Sequence, residues 1–145
     1  MQKRYAMRNM AIALILSHKD RCKRVATLNT MIDARAAGYK SPGALDGMPH
    51  GQGISDPVSA AAIATEVIVR QRDEEQKRID AVEWGLRFVC DLQRTEDEPY
   101  IREALLSYFE DKDHANMVLD MNTKISPQSF VMIRRQFIHQ IKEAV

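Results

Sequence analysis

Five of the six glycines and two of the five prolines fall between Gly38 and Asp56. Such a cluster reads as a loop, and it leaves two long stretches in which helix can run without interruption. Residues from about Tyr5 to Ala37 contain no glycine or proline and are predicted to form one helix. Asp56-Pro57 supplies an N-cap and a first-turn residue for a second helix, which runs to about Leu92. At 1.5 Å per residue each of these helices is ~50 Å long. The loop is long enough to fold them back antiparallel.

Both helices carry a seam with three-four spacing. The first reads Ala11, Ile15, His18, Cys22, Val25, Asn29, Ile32 and Ala36. The second reads Val58, Ala61, Thr65, Ile68, Arg72, Glu75, Ile79, Val82, Leu86 and Val89. Pairing Ala36 with Val58 puts His18 beside Glu75, so His18, Arg72 and Glu75 are expected to form a polar layer that fixes register. Under the same pairing Cys22 and Cys90 are too far apart for a disulfide. Two helices alone bury little surface, so residues 1–93 are expected to form a homodimer or a higher homo-oligomer. Trp84 and Phe88 lie off the seam and need a cover, the C-terminal helices or a second copy ahead of a ligand pocket.

The last twenty residues have a different character. Ser126 caps, Pro127 fits the first helical position, and Phe130, Ile133, Phe137, Ile138 and Ile141 mark one face of a helix. The other face carries polar types able to bond phosphates and base edges. Upstream, Thr95-Glu-Asp-Glu98 followed by Pro99 reads as a capping box opening a helix from Tyr100 to about Asp111. A shorter apolar segment, Asn116–Met121, and a polar turn, Asn122–Ile125, follow it. The expected fold class is therefore all-α, a long antiparallel helical hairpin in residues 1–93 followed by a small trihelical helix-turn-helix domain in residues 94–145.

Charge narrows the functional classes. The chain carries 21 Lys and Arg against 20 Asp and Glu, which excludes a polybasic nucleic-acid binder. Residues 94–145 hold seven bases against nine acids, but from Lys124 onward there are four bases and one acid. The four histidines show no metal-ligand spacing and no nucleophile sits in a recognisable elbow, so no catalysis, metal or cofactor is expected. The longest apolar run, Met10–Leu16, is too short to span a bilayer and lacks a signal-peptide cleavage pattern, so a cytoplasmic protein is expected.

The order of features resembles the ArpU/RinA-type phage transcriptional regulators, whose C-terminal helix-turn-helix is similar to region 4 of sigma factors. The most specific part is the loop Leu45–Asp56, with Asp46, Met48, Pro49, Gly51, Gly53, Ser55 and Asp56 in the family's pattern. Ser126, Phe130 and Arg134 or Arg135 match the opening of the last helix. Leu106-Ser-Tyr108 and Val118-Leu119 fall where the family has its middle helices, though the turns here lack glycine. The resemblance implies a regulator of late phage genes for packaging and lysis.

The expected activity is sequence-specific binding of double-stranded DNA as a dimer, with the last helix in the major groove. Gln128, Ser129, Met132 and Arg135 would meet base edges, and Lys124, Arg134, His139 and Lys142 phosphates. Two alternatives compete with it. One is a protein-interaction module that binds RNA polymerase or another regulator. The other is a phage small terminase subunit, which also joins a helix-turn-helix to an oligomerising hairpin.

Overall fold

Polar side chains and proline, rather than glycine, set most of the helix boundaries. The computed structural model describes residues 2–38 and 57–145. The Gly/Pro-rich loop, with His50, the Met48-Pro49 motif and the expected Asp56 cap, lies outside the described residues. These comprise six α-helices, α1 (Gln2–Leu16), α2 (His18–Gly38), α3 (Pro57–Asp91), α4 (Glu98–Ser107), α5 (Lys112–Asn122) and α6 (Pro127–Ala144), with a 3₁₀ turn at Thr95–Asp97 and no strand. All-α is the fold class.

The single helix expected from Tyr5 to Ala37 is two. It breaks at Ser17, whose Oγ donates to the carbonyl of Ala13 at 2.7 Å. No glycine or proline signals this break, and the same back-bond at Thr27, Thr30 and Thr65 leaves the helix continuous. The capping box at Thr95 is also replaced. Thr95 opens the 3₁₀ turn, and α4 starts at Glu98 after Asp97, which makes no side-chain cap bond.

The chain divides into two compact units, and the division is not at residue 93. One unit comprises residues 1–20 and 77–145, the other residues 21–76. The reason is visible in the core of the first unit. Ala11, Leu14 and Ile15 of α1 share one buried cluster with Val82, Leu86, Val89 and Cys90 of α3 and with the apolar faces of α4, α5 and α6. The short C-terminal helices therefore do not close a core among themselves. Within this unit α4 packs along α5, and α1 packs against α6 and α4.

Gly85 shows how tightly α3 and α6 approach. A Cβ there would stand 2.9 Å from the ring of Phe137 and 3.2 Å from Ile141. Both of those side chains are fully buried. A helix-interior glycine costs roughly 1 kcal/mol relative to alanine, and here it makes room for one of the bulkiest side chains of the core.

The second unit pairs parts of α2 and α3. Arg21 Nη1 donates to Glu75 at 2.7 Å, and Arg72 Nη1 donates to Asn29 at 3.2 Å. These contacts step forward on α2 and backward on α3, so the two segments run antiparallel. Val25, Leu28 and Ile68 are buried in this unit, while Met31, Ile63 and Val67 are exposed.

Candidate nucleic-acid interface

Helix α6 follows its sequence signals closely. Ser126 is extended and its Oγ accepts from the N–H of Ser129 at 3.1 Å, satisfying one of the free donors of the first turn. Phe130, Ile133, Phe137, Ile138 and Ile141 are all buried. Burying apolar side chains of this size stabilises by about 1.5–3 kcal/mol each, which fixes the rotation of α6 about its axis.

The preceding helix is closed without glycine. Asn122 Nδ2 donates to the carbonyl of Val118 at 2.8 Å, and Thr123 Oγ1 to that of Leu119 at 2.6 Å. These side chains satisfy carbonyls that a glycine-based cap would otherwise serve. At the other end of α5, Asp111 accepts from the N–H of His114 at 3.1 Å.

With α6 fixed, the residues expected to meet DNA fall into two groups. Lys124, Gln128, Ser129, Met132, Arg135 and His139 are exposed, whereas Arg134 and Lys142 are half-buried. Gln128, Met132, Arg135 and His139 follow the face opposite the buried stripe. Ser129 also lies on the surface, but its hydroxyl accepts from Ser126 Oγ at 3.0 Å. His139 Nε2 stands 3.9 Å from Glu143.

Arg134 has a seat that the sequence did not reveal. Its guanidinium carbon lies 3.8 Å from the centroid of the Tyr108 ring and 5.6 Å from that of Phe130. Tyr108 in turn meets Phe130 edge-on at 5.7 Å between centroids. Arginine over an aromatic face is worth about 0.5–1 kcal/mol at an exposed site, and it orients the guanidinium while leaving its N–H edges available. Tyr108, just past the end of α4, and Arg134, mid-way through α6, belong to no common period, so no local pattern announces the pair.

Of the three residues expected as a polar layer, His18 belongs to the first unit, and Arg72 and Glu75 to the second. His18, 4% exposed, has Nε2 3.1 Å from Glu83. Glu83 also accepts from Arg102 of α4. Glu75 accepts from Arg21, and Arg72 bonds Asn29 and pairs with Asp73 at 3.0 Å. Burial raises the Glu83 carboxyl, but the hydrogen bond and charge of Arg102, reinforced by His18, outweigh it and hold the group below its ordinary value. The bond to Glu83 correspondingly raises Arg102. This three-residue connection ties α3, α4 and the start of α2 together.

Two open clefts flank the described surface of this unit. One, of about 800 Å³, runs beside the start of α6 and is lined by Arg94, Glu96, Asp97, Met121, Lys124 and Ser129 among others. The other, of about 1020 Å³, is lined by Ile15, Leu16, His18, Arg102, Glu103 and His114 among others. Among the described residues no group of three or more His, Cys, Asp and Glu is placed to hold a metal ion. Cys90 is buried, and its thiol is pushed up to about 11, chiefly by burial. Trp84 remains 52% exposed even though its Nε1 donates to Gln140 of α6 at 3.3 Å. No helix among the described residues is long and apolar enough to cross a membrane.

No protein-family model, curated protein or solved structure matches the chain.

Proposed function

We propose that the chain is a sequence-specific DNA-binding transcriptional regulator, of the late phage-gene kind that its family resemblance implies. In this reading α4, α5 and α6 act as a helix-turn-helix, and α6 enters the major groove. Gln128, Met132 and Arg135 reach base edges, while Lys124, Arg134, His139 and Lys142 meet phosphates. The observation that carries this reading is the division of α6 itself. Its five apolar residues are buried, and its Gln128–Met132–Arg135–His139 face is in solvent. Ser129 is assigned a weaker part, because its hydroxyl is engaged by Ser126.

The same proposal includes a dimer built on residues 21–76, where Met31, Ile63 and Val67 remain exposed. Two such hairpins side by side would make a four-helix arrangement, and two reading helices would address half-sites a helical turn or a multiple of it apart. A mobility-shift assay tests the reading. Arg135→Ala should weaken binding to a selected duplex by about 1–3 kcal/mol and relax one base position. Unchanged affinity and selectivity would remove Arg135 from the interface.

A second reading is favoured by a specific observation. From Thr95 to Asn122 there are eight acids against two bases, so α4 and α5 present a surface that repels phosphate and suits a basic protein partner such as a face of RNA polymerase. Salt separates the two. Phosphate contacts make log affinity fall linearly and steeply with log salt, and a protein partner held by α4 and α5 would leave duplex binding weak at every ionic strength.

A further inference from the structure

Within the first unit α1 is basic and the α4–α5 stretch acidic, and this division of charge reaches an element outside the proposed reading motif. From Met1 to Lys19 there are four bases and no acid. Lys3 and Arg8 of α1 are exposed, and neither has an ion pair among the described residues. Tyr5 beside them is 60% exposed, and Asn9 is also on the surface. Helix α1 packs directly against α6. The acids, by contrast, are concentrated on α4, α5 and the turn before them, where Glu110, Asp113 and Asp120 likewise have no ion pair among the described residues.

A duplex brought against α6 therefore has both signs of charge on neighbouring helices. The uncompensated carboxylates of α4 and α5 oppose its phosphates. Helix α1, which packs against α6, carries cations that suit them. At physiological ionic strength the Debye length is about 8 Å, so only charges close to the duplex matter, and α1 is in contact with the reading helix.

We infer that α1 is a second DNA-contacting element, in which Lys3 and Arg8 bind the phosphate backbone beside the groove entered by α6. This rests on the reading of α6 given above. Helix α1 would then fix the orientation of the protein on the duplex without carrying sequence information, as phosphate contacts do. It would also offset the acids of α4 and α5 within the same unit.

The experiment is a salt titration of duplex binding with the full chain. The probe is a duplex pool of random sequence, with a selected duplex as the second arm. Parent, Arg135→Ala and the double variant Lys3→Gln/Arg8→Gln are compared. Both substituted α1 positions are exposed, and an unchanged melting temperature checks that the fold is retained. The double variant should flatten the slope of log affinity against log salt by roughly 2, about 0.9 for each phosphate that is no longer neutralised. It should weaken both arms alike and keep the parent's sequence preference.

A slope unchanged in the double variant, with Arg135→Ala still impaired on the selected duplex, overturns the role of α1 and leaves the reading of α6 standing. No binding of either duplex by the parent overturns both. A double variant that loses sequence preference rather than slope also overturns the inference, since α1 would then be reading bases or shaping α6.

Discussion

The two units of this chain are made of the same material, amphipathic helix, and close their cores to different degrees. In the unit of residues 1–20 and 77–145, side chains from five helices converge, and Phe130, Phe137, Leu86, Ile101 and Leu105 are essentially inaccessible. In the unit of residues 21–76, two antiparallel segments bury Val25, Leu28 and Ile68 and leave Ile63 and Val67 in solvent. The contrast follows from geometry. Two helices share one line of contact, whereas helices arriving from several directions enclose a volume. The closed unit can hold a surface such as that of α6 in a fixed orientation, and the open one leaves apolar side chains in solvent, which the proposed second copy would cover.

The largest expected effect separates the units by truncation of one side chain in each. Phe137→Ala should cost about 3–5 kcal/mol, because a fully buried ring leaves a cavity, while Leu28→Ala should sit near 2 kcal/mol at the low end for leucine. Urea denaturation measures both, and equal losses would break the comparison. Next in size is the response to concentration. If residues 21–76 mate with a second copy, the melting temperature of the chain rises with protein concentration, since association stabilises by mass action. In the double variant Ile63→Gln/Val67→Gln that dependence should vanish with the helical signal at low temperature retained.

The smallest effect concerns acid. Glu83 has its folded-state pKa depressed below 4.5, so its contribution is present above the unfolded value and is lost as pH falls through the folded one. The closed unit should therefore lose stability as pH drops below about 4.5, and Glu83→Gln should flatten that limb of the stability profile. A profile identical in variant and parent would show that the connection from His18 through Glu83 to Arg102 contributes nothing to the titration.

Much of α6 was legible because cap, proline and period all point to one answer there. Ser126 is the N-cap, Pro127 opens the helix, and each of the five apolar positions is buried. The helical character of the long stretches was equally plain from the absence of breakers. Their partners were not. A seam on a helix states that something covers it, and it is silent on what does. Hence Val82, Leu86 and Val89, read as seam residues of a hairpin that ended at residue 93, share one core with Ala11, Leu14 and Ile15 and also with the C-terminal helices. The break at Ser17 was hidden because a back-bonding serine is also an ordinary helix residue. Glu83 escaped notice for a related reason. Nothing in its neighbours foretells that Arg102 and His18 both reach it. Within the proposed interface the sequence named the exposed Gln128, Met132 and Arg135. The aromatic seat of Arg134 on Tyr108 depends on the crossing of α4 with α6, which only three dimensions define.

Ala11, Leu14 and Ile15 lie in the same core as Phe130, Phe137 and Ile141, more than a hundred residues further along the chain. On the ribosome, α1 emerges before the rest of this core, and its apolar stripe is not fully covered until α6 has been made. Contacts of such long sequence separation close late and slowly. The stripe of α1 therefore waits more than a hundred residues of synthesis before α6 completes its cover.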